Sequence, residues 1–321
     1  MTSNPPKIAV VTGASGQDGY YLSKKLAYMG YIVYATSRFG SKLHETFKET
    51  PNIFVIQLDL TSKINVQHFI DEIKPNIIYH LAAQSSVGKS YSEPVETLNS
   101  CIIPTLNILD ALRSCGNPTK FVHLSSSECF NSPNKFIDEH TPLNPTSPYG
   151  QGKATASEIV VMYRNLYRLS CVNLYCFNHE SPRRPKHFVT QKIVNHAYSC
   201  AIGEDRIEAY GNINIVRDWG WAEEYIEAMI LIGESDHVED FVIGTGIGTH
   251  LSDFIKISFE YFGLDCKKFI AYDEGLIRRN DCLHRVSNPR RIKEAVGWEA
   301  QSDVTSVIHK LCEHIIRRSS Q

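Results

Sequence analysis

The sequence has no long apolar run, no block of like charge and no cluster of cysteines. It lacks the roughly 18 consecutive apolar residues of a membrane helix, and residues 1–13 lack the apolar core of a signal peptide. Lysine and arginine total 33 against 35 acidic residues, so no basic excess suggests a nucleic-acid partner. The nine cysteines include no CxxC pair and no Cys/His cluster, which disfavours disulfides and metal binding. We therefore expect a cytoplasmic protein with reduced thiols, without metal, and with neither membrane nor nucleic acid as a partner.

The first half of the chain alternates short β-rich runs with helical patterns. The predicted strands are 7–12, 31–36, 52–57, 76–81, 120–125 and 171–177, and the helical candidates are 17–29, 64–73, 94–114 and 149–167. The strand runs are mostly continuous apolar segments, as in strands that are buried on both faces of a parallel sheet. Strand, helix and strand in series predict an α/β fold of the Rossmann type, with a doubly wound parallel sheet.

The regular alternation ends after residue 177. Residues 178–190 are polar and irregular, and we interpret them as the start of a smaller, mixed α/β substrate lobe. Residues 302–316 carry one apolar helical stripe, which indicates core packing. The sequence thus predicts a nucleotide-binding domain over 1–177 and a mainly substrate-binding lobe over 178–321, with some elements returning to the first domain.

A glycine-rich turn, GASGQDG, follows the first predicted strand and leads into a helical pattern. Glycines there allow a tight turn and a close approach of backbone to a pyrophosphate, which the N–H groups of the helix start then face. A glycine triplet alone is a weak signal, but its position at the end of the first strand favours cofactor binding over a plain loop. The predicted contacts come from Gly13, Ser15, Gly16, Gln17, Asp18 and Gly19.

The end of the second predicted strand carries no acidic residue. An NAD enzyme usually places Asp or Glu there to bind the ribose 2′-hydroxyl, whereas this chain reads Thr36-Ser37-Arg38. These side chains can bind and neutralise a 2′-phosphate, so NADP is the expected cofactor; the alternative for Arg38 is a solvated surface position. Further cofactor contacts are expected from Asp59, Leu60, Leu81, Ala82 and Ala83. For Asp59 a turn-forming role is an equal alternative.

Tyr149 and Lys153 form a YxxxK pair at the start of a predicted helix. The spacing of four residues puts both side chains on one helical face. Lys153 can hold the nicotinamide ribose and lower the pKa of Tyr149, which can then take a hydroxyl proton while a hydride leaves. The alternative is a core tyrosine beside a surface lysine.

The fifth predicted strand ends in three serines followed by Glu128. Strand ends at this edge of an open parallel sheet point into the ligand crevice. A serine hydroxyl there can bond the reacting oxygen. Glu128 can remove the acidic proton beside the carbonyl of an oxidised sugar and then protonate the departing hydroxyl. The alternative for Glu128 is a turn cap or an ion pair.

Several stretches together resemble the GDP-mannose 4,6-dehydratases: TGASGQDG, HLAAQSSV, SSSE, SPYGQGK, FNHESPRR, FVTQKI and RDWGWAEEYIEAM. FNHESPRR and RDWG are more specific than the nucleotide-binding and YxxxK motifs. The resemblance implies that Ser126, Glu128, Tyr149 and Lys153 are the catalytic hydroxyl residue, base, tyrosine and lysine, with serine where the family usually has threonine. It also implies a GDP-sugar substrate, bound by Ser85, Asn178, Glu180, Arg184, Lys192, Arg217 and Arg278. For each arginine the alternative is a structural ion pair.

Three stretches depart from the family pattern. The loop after the second strand, 39–44, is shorter than the family's Arg- and Ser-rich loop, which there helps to form a tetramer. We therefore expect a homodimer through helices 94–114 and 149–167, with a tetramer as the alternative. Cys129-Phe130-Asn131 stands where a Tyr-Gly pair is usual, and residues 278–281, RRND, replace an Arg-Pro-x-Glu stretch that touches the diphosphate.

The expected activity is the conversion of a GDP-hexose to a GDP-4-keto-6-deoxyhexose with loss of water. The alternatives are a dehydratase for another GDP-sugar, such as a heptose, and a reductase or epimerase of the same superfamily. Glu128 and the NHESPRR stretch argue against the reductase and epimerase. A non-catalytic NADP-sensing protein is disfavoured, because such a protein can dispense with the tyrosine and lysine that are intact here.

Overall fold

The largest sheet in the computed structural model has seven strands, five of them from the first half of the chain. The structure describes residues 5–38, 40–132, 136–204, 206–277 and 281–319. The strands are β1 (Ile8–Thr12), β2 (Ile32–Ser37), β3 (Ile53–Gln57), β4 (Ile77–His80), β5 (Lys120–Ser126), β6 (Phe136–Ile137), β7 (Cys171–Cys176), β8 (Asn178–Glu180), β9 (Glu208–Tyr210), β10 (Val216–Arg217), β11 (Trp219–Trp221), β12 (Phe241–Ile243), β13 (Thr249–His250), β14 (Ile270–Tyr272) and β15 (His284–Ser287).

The helices follow the strands in the order that the sequence predicts for a doubly wound sheet. They are α1 (Gln17–Tyr28), α2 (Gly40–Phe47), α3 (Lys63–Ile73), α4 (Val87–Ser92), α5 (Pro94–Cys115), α6 (Pro148–Tyr167), α7 (Val189–Ala201), α8 (Ala222–Glu234), α9 (Leu251–Glu260), α10 (Arg290–Val296) and α11 (Val304–Ser319). Short 3₁₀ helices lie at Ser127–Cys129, Cys266–Lys268 and Glu274–Leu276.

The large sheet has the strand order β3-β2-β1-β4-β5-β7-β12. The β1–β2, β2–β3, β1–β4 and β4–β5 pairs are all parallel. The order reverses between β1 and β4, and a crevice at such a switch point is where open α/β sheets bind ligands. The prediction of a Rossmann-type α/β fold is confirmed.

The segment after β2 corrects one expectation. We expected a short loop over 39–44, but residues 40–47 form the helix α2. Leu43 and Phe47 lie one helical turn apart and are both buried, 2% and 3% exposed. Two apolar residues at this spacing lie on one side of a helix, so the helical conformation lets both be buried together and is stabilised by that burial. Phe39 lies outside the described residues.

The chain divides into two compact units. The first comprises Met1–Cys129, Ser147–Tyr175 and Ile226–Phe241, and the second comprises Phe130–Thr146, Cys176–Tyr225 and Val242–Gln321. The second unit has its own apolar core, formed largely by α7, α9 and α11 together with Trp219 and Trp221. Each unit is built from three separate segments of the chain. The predicted division into 1–177 and 178–321 uses one boundary only, and it remains a proposal.

Two further findings concern membrane-spanning helices and metal sites. Within the described ranges, no helix combines the length and hydropathy needed to cross a membrane. Nor do those ranges contain a group of three or more His, Cys, Asp or Glu side chains arranged to hold a metal ion.

Candidate active site

The turn between β1 and α1 brings three stretches of backbone close together. Gly13 has φ +70°, and a Cβ added there would lie 2.9 Å from the backbone of Ala82. A Cβ at Gly19 would lie 2.4 Å from the carbonyl oxygen of Gly13. Both positions therefore require glycine for conformation or space. Gly16 is the N-cap of α1 and supplies no side-chain cap, and Ser15 and Gly16 are exposed. Backbone N–H groups at such a helix start suit a phosphate.

Thr12 and His80 hold the backbone after β4 next to this turn. The Thr12 hydroxyl oxygen accepts hydrogen bonds from the backbone N–H groups of Leu81 and Ala82, at 3.1 and 3.2 Å. The same hydroxyl lies 2.8 Å from Nδ1 of His80. With both acceptor positions of Thr12 used, its proton is donated to His80, which therefore serves as a neutral acceptor. Burial lowers the pKa of His80, which keeps the ring neutral. Ala83 is half-buried directly after this pair.

The ends of β2 and β3 carry the side chains expected to distinguish NADP from NAD. Arg38 is exposed, and the buried hydroxyl of Thr36 makes no hydrogen bond within the described residues. Asp59 accepts bonds from the backbone N–H and the hydroxyl of Thr61, at 2.9 and 2.7 Å. These bonds lower the pKa of Asp59, and the charge of Arg38 lowers it further. Asp59 thus has the turn-forming role, close enough to Arg38 to interact with its charge, and Leu60 beside it is buried. A buried hydroxyl beside an exposed arginine fits an anionic group.

Ser126, Glu128 and Tyr149 come together where β5 ends. Ser126 is the last residue of β5, and its hydroxyl accepts a 3.2 Å bond from the backbone N–H of Glu128. Tyr149 lies in the first turn of α6, a helix capped by the Ser147 hydroxyl, which accepts from the Gly150 N–H. Tyr149 hydrogen-bonds to Ser126 and lies near enough to Glu128 to interact with its charge.

Lys153 also lies close to the end of β5. It is 4% exposed, and its Nζ donates a 2.7 Å bond to the carbonyl oxygen of Leu124. We expected Lys153 to lower the pKa of Tyr149. In the protein by itself burial raises that pKa, the bond to Ser126 lowers it, and nearby Cys101, Cys129 and Glu128 raise it. Desolvation of the phenol thus dominates the pKa of Tyr149 in the protein by itself, and the effect expected of Lys153 stays a prediction.

The residues expected to bind substrate lie mostly in the second unit. Asn178 and Glu180 are on β8, which pairs with β11. Glu180 is 1% exposed, accepts a 2.7 Å bond from the Thr190 hydroxyl and lies 3.7 Å from Nε of Arg184. The Arg184 guanidinium stands 3.9 Å from the centre of the Phe188 ring. Glu180 therefore orients Arg184, and the two form a partly buried ion pair.

Arg217 is also ion-paired. It is buried on β10, and its Nη2 donates a 2.8 Å bond to Asp281. Lys192, on α7, is exposed, as is Ser85 in the first unit. Arg278 lies outside the described residues.

Asp218 belongs to the RDWG stretch, but the sequence alone indicates no role for it. It is fully buried, and it accepts bonds from both the N–H and the hydroxyl of Thr245, from the Gly246 N–H, and from the N–H and hydroxyl of Ser287. It thus ties the loop after β12 to β15, directly beside Arg217. The one sequence feature that could have pointed to Asp218 is its place next to Arg217 in the RDWG stretch.

The family model for GDP-mannose 4,6-dehydratase matches residues 10–311. "GDP-mannose 4,6 dehydratase 2" of Arabidopsis thaliana is 35% identical over 92% of this chain and 83% of its own length. The "GDP-mannose 4,6-dehydratase" of Vibrio cholerae is 36% identical over 93% of this chain and 91% of its own.

Solved structures share the fold. The UDP-glucose 4-epimerase of Thermotoga maritima is 25% identical, with a TM-score of 0.85 over 98% of this chain and 100% of that one. A dTDP-glucose 4,6-dehydratase of Bacillus anthracis has a TM-score of 0.85 at 20% identity, over 98% of each chain. The epimerase and the dehydratase share one architecture, so fold alone does not assign the reaction. The sequence match to the family model spans nearly all of the chain, and the chain belongs to the GDP-mannose 4,6-dehydratase family.

Proposed function

We propose that the chain is an NADP-dependent dehydratase that converts GDP-mannose to GDP-4-keto-6-deoxymannose. The observation that carries this proposal is the position of Glu128. It follows the end of β5 by two residues, and its charge acts on Tyr149, which bonds to Ser126. A carboxylate beside the tyrosine suits a reaction that needs a second proton transfer after the oxidation.

A nicotinamide dinucleotide is the cofactor that the turn at Gly13 fits. The solved dehydratase of Bacillus anthracis is a complex with NAD. For this chain we favour NADP, because β2 ends in Thr36, Ser37 and the exposed Arg38 with no carboxylate. Gly13 and Gly16 would face the pyrophosphate, Gly19 lets α1 begin close to the turn, and Lys153 would hold the nicotinamide ribose. When bound, the cofactor would supply the hydride chemistry: removal of a hydride from carbon 4 of the sugar and its return at carbon 6.

Three protein groups carry the proton transfers. Tyr149 takes the proton of the 4-hydroxyl, while Ser126 donates a hydrogen bond to the same oxygen. Burial holds the pKa of Tyr149 high in the protein alone, so the positive charge of an oxidised nicotinamide is needed to lower it. Glu128 then removes the proton at carbon 5, which the ketone has acidified, and passes it to the departing 6-hydroxyl. Return of the hydride to carbon 6 would require one proton at carbon 5, and this uptake balances the proton that Tyr149 took from the 4-hydroxyl. The overall reaction is therefore redox-neutral and releases one water.

The diphosphate of the proposed GDP-sugar is anionic, so we expect cationic side chains to bind it. The candidates belong to the second unit. Arg184, Lys192 and Arg217 are the candidates, with Asn178 as a neutral donor. Arg184 and Arg217 have fixed side chains, since Glu180 and Asp281 each hold one guanidinium. A preoriented guanidinium loses little side-chain entropy when an anion binds.

The test is incubation of the purified protein and NADP with GDP-mannose and other nucleotide sugars. We expect a product that is lighter by one water, with no net consumption of cofactor. In heavy water, deuterium should enter at carbon 5. Stoichiometric use of added NADPH on a 4-keto sugar would instead establish the reductase, and water loss only from another GDP-sugar would change the substrate.

We also propose that the enzyme is a cytoplasmic homodimer. The nine cysteines are free thiols, as in a reducing compartment. Val95 on α5 and Met162 and Leu166 on α6 are 67%, 42% and 67% exposed. A second copy that packs against the same two helices would bury these side chains in a two-fold interface. Light scattering at low micromolar concentration tests this, and a stable tetramer would refute it.

A further inference from the structure

A chain of hydrogen bonds joins the 3₁₀ helix Ser127–Cys129, which carries Glu128, to helix α6. The Ser157 hydroxyl donates a 2.9 Å bond to the carbonyl oxygen of Lys153. The Ser125 and Ser157 hydroxyl oxygens lie 2.7 Å apart, and the Ser125 oxygen lies 3.4 Å from Sγ of Cys129. These four residues are 0% to 4% exposed.

The direction of every bond follows from counting protons. Ser157 has one hydroxyl proton, which goes to the Lys153 carbonyl, so Ser125 must be the donor to Ser157. The proton of Ser125 is then used, so the thiol of Cys129 must be the donor to Ser125. Burial raises the pKa of Cys129 to about 11, so the sulfur keeps the proton that this bond needs. The backbone N–H of Ser126 in turn donates to the sulfur.

The result is an ordered series from Ser126 through Cys129, Ser125 and Ser157 to Lys153. It begins at one residue of the proposed catalytic group and ends at the backbone of another. The Tyr175 hydroxyl also bonds to Ser157, so Ser157 is the point where α6, β5 and β7 meet.

Helix α6 has other attachments to the sheet. Asn173 on β7 donates a 3.0 Å bond to the backbone carbonyl of Ser157, and this bond does not need the serine side chain. The N-terminus of α6 is capped by Ser147. Loss of the Ser157 hydroxyl therefore leaves α6, with Tyr149 and Lys153, in place. The 3₁₀ helix is only three residues long. Its position therefore depends more strongly on the bonds of this chain than the position of α6 does.

We propose that Cys129, Ser125 and Ser157 are positioning residues that hold Glu128 at its working distance from Tyr149. This proposal rests on the proposed function, in which Tyr149 serves the oxidation and Glu128 serves the elimination. A displacement of about 1 Å at a reacting group can lower a rate about 100-fold. Breaking the chain should therefore slow the elimination far more than the oxidation.

The kinetic test uses Ser157→Ala in the full-length protein with NADP and GDP-mannose. Single-turnover absorbance reports the oxidation, and release of water together with deuterium uptake at carbon 5 reports the elimination. We expect elimination to fall at least about tenfold while oxidation changes less than about threefold. The control is Ser258→Ala, which removes a buried helical serine whose hydroxyl likewise donates to the carbonyl four residues earlier, Phe254.

Cys129 gives a second pair of variants. Cys129→Ala removes the first side-chain donor and should repeat the selective loss, whereas Cys129→Ser keeps a donor and should restore elimination. Equal slowing of both steps in Ser157→Ala and Cys129→Ala, or no slowing of either, overturns the proposal. So does a Cys129→Ser variant as impaired as Cys129→Ala.

A measurement without substrate separates this proposal from the proposed function. Amide hydrogen exchange over residues 126–129 should be faster in Ser157→Ala than in wild type or Ser258→Ala. If wild type dehydrates no nucleotide sugar, the proposed function fails, and the exchange result still decides whether the chain orders Glu128. Unchanged exchange in Ser157→Ala overturns the positioning role whatever the substrate.

Discussion

Gly19→Ala tests whether the turn after β1 is a phosphate site. The new Cβ would lie 2.4 Å from the Gly13 carbonyl oxygen and 2.6 Å from the Ala14 Cα. Ordinary contacts between carbon atoms are about 3.5 to 4.0 Å. The neighbours are backbone atoms that cannot rotate away, so the start of α1 and the turn must separate by about 1 Å.

The expected loss is in cofactor affinity more than in stability. Each hydrogen bond from backbone N–H to a charged phosphate contributes about 1.5 to 3 kcal/mol. Loss of two such bonds costs about 3 to 6 kcal/mol, or an affinity lower by about 100- to 10,000-fold. For folding, the overpacking costs about 1 to 3 kcal/mol, and alanine in a helix recovers about 1 kcal/mol relative to glycine.

Gly30→Ala is the matched control. Gly30 follows α1 with φ +90°, and a Cβ there would meet no atom within 4 Å. The left-handed backbone makes alanine unfavourable by about 1 to 2 kcal/mol, so Tm should fall while NADP affinity stays unchanged. Isothermal titration of both variants decides the matter. A phosphate site at this turn is refuted if Gly19→Ala binds NADP as wild type does, or if Gly30→Ala weakens binding equally.

Four further predictions follow from single sites. Arg38→Ala should lower affinity for NADP about tenfold, near 1.4 kcal/mol, and leave affinity for NAD unchanged; parallel titrations check it, and an equal loss for both cofactors refutes the 2′-phosphate contact. Tyr149→Phe should abolish the appearance of reduced cofactor in a single turnover, whereas Glu128→Gln should accumulate it with no water lost; the reverse pattern would exchange their roles. Burial lowers the pKa of His123 to about 3, so below pH 6.5 the unfolded chain takes up the proton first, and stability present above pH 6.5 is lost as pH falls. Between pH 6.5 and 5 this amounts to about 2 kcal/mol, measured by urea unfolding, and His123→Gln should lose that part of the dependence. Leu166→Glu should shift light scattering from dimer to monomer, and an unchanged mass would exclude this face.

The sequence predicts the large sheet well because its strands carry their own signal. Each is a short apolar run between turn residues, and all six predicted runs begin and end within one residue of the observed strands. Helix α2 was missed because Gly40, Ser41 and Lys42 give no helical start signal, and its stability comes from the burial of Leu43 and Phe47. Tertiary packing of this kind has no counterpart in a local pattern.

In the candidate site, too, the sequence predicts local pairs of residues but not the hydrogen bonds between residues far apart in the chain. Tyr149 and Lys153 are predictable since four residues separate them on one helix. The bond from Ser125 to Ser157 joins positions 32 residues apart, and the bond from His123 to Asn173 joins positions 50 apart. No periodicity marks these partners, and serine at a helix interior normally signals only a bond to its own backbone. Cys129 is the instructive case, because as a departure from the family pattern it reads as a weakness of the assignment. In the structure its thiol is the first side-chain donor of the chain that reaches Lys153, so a residue that departs from the family pattern takes part in the bonding beside the proposed base.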